Sequence, residues 1–199
     1  MNSILSILLT LFPMFTDGSY SIGEKVQDFT LHNATDKKNV TLSDYKKNKL
    51  VVVVFTCNHC PYAKLYEDRL ILASKEFSQN GVAFIAINPN DPTRYSEDSE
   101  ENMLQKAKAK NYPFPYLVNS DQTVSDRFGA TKTPEVFVLQ NTDGNFVLRY
   151  KGAIDDNPQN AADVQEHYLR DALKALLENK EPLKTIVKAT GCSIKRKGG

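Results

Sequence analysis

The strongest constraint on how this chain folds is an unbroken apolar run, Leu50-Val51-Val52-Val53-Val54-Phe55, that ends almost directly at Cys57-Asn58-His59-Cys60-Pro61. A run of this length, rich in β-branched residues, predicts a strand buried on both faces of a sheet. Pro61 predicts the first turn of a helix, where its missing N–H costs nothing. Two thiols three residues apart at a strand-to-helix corner can close a disulfide without moving the fold. The thiol nearest the helix start also sits where partial positive charge favours thiolate. Thiol–disulfide exchange is the chemistry that this junction predicts.

Around it the pattern alternates strand and helix. Phe29-Thr30-Leu31 and Val40-Thr41-Leu42 read as short strands, with a capped helical turn at Ser43-Asp44-Tyr45. Apolar residues at Tyr62, Leu65, Tyr66, Leu70, Ala73 and Phe77 recur at helical spacing, and Asn80-Gly81 stops that helix. Val82–Ile87 is a second buried strand, so the unit is βαβ with parallel strands. Ser96–Lys110 places Glu97, Asp98, Glu100 and Glu101 before Lys106, Lys108 and Lys110, the order of a solvated surface helix. Tyr116–Val118 is a strand and Gln122–Phe128 a short helix ended by Gly129. Val136–Leu139 and Phe146–Tyr150 flank a turn at Asn141–Asn145 and predict an antiparallel hairpin. A final amphipathic helix carries Val164, Tyr168, Leu169, Ala172, Leu173 and Leu176. The expected fold class is α/β, a single domain with a mixed central sheet flanked by helices.

With 25 basic against 24 acidic residues among 199, nothing predicts a polyanion-binding surface or a nucleic acid partner. Three cysteines are too few for a disulfide-stapled scaffold; the third, Cys192, lies near the C-terminus. Ile4–Phe12 has the length of a signal-peptide core and Ser19-Tyr20-Ser21 a small-x-small pattern, although no Lys or Arg precedes the run. The expected organisation is therefore residues 1–21 as a signal peptide or packed extension, 22–182 as the domain, and 183–199 as a basic tail. A cleaved leader implies a periplasmic or secreted protein; a packed extension implies a cytoplasmic one.

The CxxC has three readings. It is a redox dithiol, or half of a zinc site, or a pair of inert cysteines. Zinc needs four ligands, and only Cys57, Cys60, Cys192 and one of His32, His59 or His167 are available, at a spacing that does not ask for it. His59, between the thiols, either stabilises a thiolate and makes the pair a better oxidant or is merely tolerated by the loop. Thr133-Pro134, just before a strand, marks a candidate cis turn beside the thiols.

These motifs together resemble the thioredoxin-like superfamily. Cys57-Asn58-His59-Cys60-Pro61-Tyr62-Ala63, Tyr66-Glu67-Asp68-Arg69-Leu70 and Gly191-Cys192-Ser193-Ile194-Lys195 resemble, more narrowly, the peroxiredoxin-like (redoxin, AhpC/TSA-type) proteins that keep a CxxC. The resemblance implies Cys57 as the attacking thiol and Cys60 as the resolving one. It implies Thr133 and Pro134 as the corner that grips an extended substrate. Cys192 is either a third redox thiol or a buried small side chain. The chain departs from thioredoxins in having Thr56 where they carry Trp and Val51 at the place of their buried acid. It departs from peroxiredoxins in having Val53 and Cys57 at the places of their Pro and Thr, and Arg196 stands where the group often carries Trp.

The resulting expectation is a thiol–disulfide oxidoreductase using Cys57 and Cys60, tuned by His59, on protein or small-molecule disulfides and dithiols. It needs no metal or organic cofactor and exchanges electrons with a partner thiol reductase or oxidase. The alternatives are a peroxiredoxin-like thiol peroxidase and a non-enzymatic zinc-holding module.

Overall fold

Leu50–Phe55 forms β3, a central strand of an eight-stranded sheet, in a computed structural model that describes residues 18–197. Before it come β1 (Thr30–Asn33) and β2 (Asn39–Thr41); after it come α1 (Pro61–Ser78), β4 (Val82–Asn88), α2 (Glu100–Lys110) and β5 (Tyr116–Val118). The chain continues through α3 (Thr123–Phe128), β6 (Lys132–Thr133), β7 (Glu135–Thr142), β8 (Asn145–Gly152), α4 (Tyr168–Leu177), β9 (Ile186–Val187) and β10 (Cys192–Ser193). The strand order is β2-β1-β5-β4-β3-β7-β8-β9. β3 runs parallel to β4 and antiparallel to β7, with Val52 opposite both Phe84 and Val138. The sheet is mixed and flanked by helices, as the alternating pattern predicts.

Both faces of β3 are covered, which is why the run has no polar alternation. Leu50, Val52 and Val54 pack with Tyr66 and Phe77 of α1, Met103 of α2, and Leu169 and Leu173 of α4. Val51, Val53 and Phe55 pack on the other side with Phe29, Leu42, Val124 and Phe128. Phe128 sits at the middle of that second core, its ring edge-on to Tyr20, Phe55 and Phe137 at 5.2–5.5 Å.

The structure departs from the sequence pattern in three places. The expected helix over Ser96–Lys110 is broken: Ser96–Asp98 is a 3-10 turn, Ser99 is extended, and its hydroxyl accepts the N–H of Asn102 to start α2 afresh. A serine is a strong helix start, and here it outcompetes helical continuity. The final helix begins at Tyr168, because Asp156 Oδ1 accepts the N–H groups of Gln165 and Glu166 and holds the preceding stretch as a loop. The tail after Pro182 is part of the fold. β9 pairs with β8, and Gly152, at φ +131°, leaves no room for a Cβ beside Val187 O. β10 pairs antiparallel with β6.

At the other end, Tyr20 is buried and its N–H donates to Arg127 O at 3.0 Å, so the folded body begins by Tyr20, ahead of the expected boundary at 22. The apolar run Ile4–Phe12 lies outside the described residues. Among the described residues no helix is long and apolar enough to cross a membrane.

Phe128→Ala should destabilise the protein by about 3–5 kcal/mol, the usual result of emptying a large aromatic site in a close-packed core. Urea unfolding of the two proteins, compared at constant m-value, measures it.

Candidate thiol–disulfide site

The site forms where β3 ends. Thr56 N–H donates to Ile87 O at 2.9 Å, which carries the chain alongside β4 for one more residue before Cys57. Cys60 is the N-cap of α1 and Pro61 its first residue, as the sequence predicts. The Thr133–Pro134 peptide is cis and lies against both cysteines. Cys57 Sγ is 3.2 Å from Thr133 Oγ1, and Cys60 Sγ is 3.2 Å from Thr133 O.

The disulfide, however, joins Cys60 to Cys192, with Cα atoms 6.1 Å apart, and Cys57 is a free thiol. The bond expected within the CxxC is therefore not the one formed. The reason is the pairing of β10 with β6, which sets Cys192 directly opposite Thr133. That close approach depends on Gly191: a Cβ there would lie 2.4 Å from Thr133 O. The edge expected to grip a substrate is thus occupied by the chain's own Cys192-Ser193. Cys57 is 1% exposed and Cys60 fully buried, whereas Cys192 is half-buried.

The sequence predicts a tuned thiolate beside His59, and the geometry differs. His59 Nδ1 lies 2.5 Å from Asp98 Oδ2, and its ring stacks on Tyr95 at 4.3 Å. Burial pushes the Cys57 thiol above its ordinary pKa, and the Asp98 charge adds to that. Hydrogen bonds from Thr133, the Cys60 N–H and Asn90 pull the other way without winning. The thiol is shifted up, not down. His59 engages the Asp98 carboxylate, and its ring nitrogen, that carboxylate and the Cys57 sulfur lie within 4.8 Å of one another.

Asp98 is the residue that sequence reasoning missed, having been read as part of a solvated helix face. It is 3% exposed. Its Oδ1 accepts the Asn58 N–H at 2.6 Å, and Asn90 Nδ2 donates to Oδ2 at 2.8 Å. The available signal was Ser99, a helix start that cuts Asp98 out of α2 and lets it turn inward. Tyr116 OH donates to Asn58 Oδ1 at 3.1 Å and fixes the same loop from below.

The motif Tyr66–Leu70 proves to be a brace for α1. Tyr66 OH and Arg69 both donate to Asp155, and Arg69 also reaches Asn157 O and Pro158 O. Arg196, at the place where the group often carries Trp, donates to Ala130 O and Ser125 Oγ and pairs with Asp126, so it pins the tail against α3. The zinc reading loses two of its ligands, since Cys60 and Cys192 are bonded to each other. His32 pairs with Glu100, and His167 precedes α4. Among the described residues, Cys57, His59 and Asp98 are the group that could hold an ion, with ligand atoms within 4.8 Å of one another.

A model of the AhpC/TSA family matches residues 22–156. The chain belongs to the AhpC/TSA family. It is 36% identical to an uncharacterized conserved protein from Geobacillus kaustophilus, with a TM-score of 0.83 over 90% of this chain and 94% of that one. A hypothetical protein from Sinorhizobium meliloti 1021 is 33% identical, with a TM-score of 0.83 over 92% and 98%. The thioredoxin domain of a thiol-disulfide oxidoreductase from Bacteroides vulgatus shares the fold at 16% identity, with a TM-score of 0.54 over 65% and 88%. No curated protein matches the chain. Family, thioredoxin-like fold and disulfide together support a thiol redox role, with thiols or disulfides as substrates and redox partners.

Two outcomes follow from this geometry. In a Cys60→Ser, Cys192→Ser background, where Cys57 is the sole thiol, its ionisation followed by thiolate absorbance should have a midpoint above that of free cysteine, and Asp98→Asn should move the midpoint down. Gly191→Ala should force β10 away from Thr133 and make the Cys60–Cys192 bond easier to reduce, raising the fraction of dithiol at a fixed glutathione ratio.

Proposed function

We propose that this protein is a thiol–disulfide oxidoreductase whose working couple is the Cys60–Cys192 disulfide and its dithiol. The observation that carries the reading is the disulfide itself, closed at the N-terminus of α1 beside the cis Thr133–Pro134 peptide, with a third thiol, Cys57, in the same cluster. Exchange needs only a thiolate, a disulfide sulfur and a leaving thiol. A thiolate on Cys60 would sit at the start of an eighteen-residue helix, where the dipole favours negative charge. The Thr133 carbonyl lies against Cys60 Sγ and its hydroxyl against Cys57 Sγ.

An incoming thiolate attacks the disulfide, forms a mixed disulfide and expels the other cysteine; a second thiolate from the donor then releases the oxidised donor and leaves both protein thiols reduced. The reverse sequence oxidises a partner dithiol. The partners are thiol proteins or small thiols, and the chemistry is complete without a metal or organic cofactor. Peroxide reduction is the weaker reading, because both sulfurs at the helix start are buried and Cys60 is already bonded. Export would favour persistence of the disulfide, and the segment behind that proposal, Ile4–Phe12, lies outside the described residues.

Redox titration against glutathione should give one reversible two-electron transition, lost in Cys60→Ser and moved to a different midpoint in Cys192→Ser, where Cys57 and Cys60 are the dithiol that remains. Each 30 mV or so of midpoint difference between variants is a tenfold change in the exchange constant. Failure of the wild-type protein to titrate reversibly, or to exchange with insulin disulfides, would overturn the reading.

A further inference from the structure

We propose that Cys60 is a pivot sulfur that passes its disulfide between Cys192 and Cys57, and that Cys192 is the thiol through which the outside reaches the pair. This rests on the oxidoreductase reading above and adds a direction to it, from surface to interior.

The three sulfur-bearing residues meet at one point. Cys57 Sγ touches the Thr133 hydroxyl, Cys60 Sγ touches the Thr133 carbonyl, and Cys192 is the strand partner of Thr133. Their exposure is graded: Cys57 and Cys60 are closed off from solvent, and Cys192 is half-buried. An external thiol therefore meets Cys192 first, and access is one of the terms that decides which sulfur is attacked. The free thiol of Cys57 has no solvent-facing task in this arrangement. The reactive neighbour within its own cluster is the sulfur of Cys60, three residues away along the loop.

The step balances without any further reagent. Cys57, as thiolate, attacks Cys60 Sγ; the Cys57–Cys60 bond forms and the Cys60–Cys192 bond breaks. Cys192 leaves as a thiolate and takes up the proton that Cys57 gave to its surroundings. One disulfide and one thiol stand on each side, so nothing is oxidised or reduced overall.

The tail is built to be coupled to this step. Asn90 connects the two ends: its Oδ1 accepts the Lys195 N–H at 2.8 Å while its Nδ2 donates to Asp98 and its side chain hydrogen-bonds Cys57. Leaving of Cys192 frees β10 from its covalent tether and leaves it held by the Asn90 bond, the β6 pairing and Arg196.

Native labelling tests the pivot. The oxidised full chain carries one free thiol, and N-ethylmaleimide added under non-denaturing conditions marks the residue on which that thiol becomes accessible. Trypsin then separates the peptide of residues 50–64, with Cys57 and Cys60, from that of residues 189–195, with Cys192. The expected result is label on Cys192, with the 50–64 peptide lacking two hydrogens through an internal disulfide. Cys57→Ser and Cys57→Ala should each slow labelling of Cys192 at least tenfold. Label confined to Cys57 with the Cys60–Cys192 link intact, a Cys57–Cys192 link, or Cys192 labelling at an unchanged rate in both variants would each overturn the pivot. A wild-type chain that titrates reversibly yet gives one of these results loses the pivot alone; one that does not titrate at all loses the oxidoreductase reading and the pivot with it.

Discussion

Burial of β3 on both faces is the constraint on which the rest depends. Close packing between Tyr66 and Phe77 on one face and Phe29 and Phe128 on the other, with pairing to β4 and β7 along its whole length, holds β3 in position and register. Its end fixes Cys57, and the start of α1 fixes Cys60. β7, paired along the whole of β3, delivers Thr133 and Pro134 to the same level. The site is thus assembled from the ends of adjacent, rigid elements, and its loops have little freedom of their own.

Into this frame the chain places a carboxylate from an unexpected direction. Thioredoxins carry their buried acid on the strand that leads to the first cysteine, and the matching residue here, Val51, is apolar and fully buried. Asp98 arrives instead from the turn ahead of α2, held by donors from Asn58, Asn90 and His59. Those donors offset the burial of the charge, and the same carboxylate adds to the upward shift that burial gives the neighbouring Cys57 thiol.

Much of this was legible in the sequence because it is carried by local pattern. The apolar run, the Pro61 helix start, the hairpin around Asn141–Asn145 and the Thr133–Pro134 corner each follow from residue type and spacing. The disulfide pairing was not legible. Proximity in sequence favoured Cys57 with Cys60, and the choice of Cys192 is made by a two-residue strand pairing across the fold, which leaves no periodic signature in Lys132-Thr133 or Cys192-Ser193. Asp98 was hidden for a related reason: charge order along 96–110 described a helix dipole correctly but gave no weight to Ser99 as an interruption. Local rules read the elements well, and the site depends on where those elements stop.

The Cys60–Cys192 bond also closes a loop spanning 132 residues, from the start of α1 to β10. In the chain-entropy view, a link over such a span disfavours the unfolded ensemble by about 5 kcal/mol. That is comparable with the entire stability of many single domains. Under the exchange reading proposed above, the reacting disulfide is therefore also a clasp of the fold, and the oxidised and reduced proteins are two materials of unequal durability. A cell whose thiol pool turns reducing would alter how long this protein survives heat or proteases at the same moment that it alters what the protein can exchange.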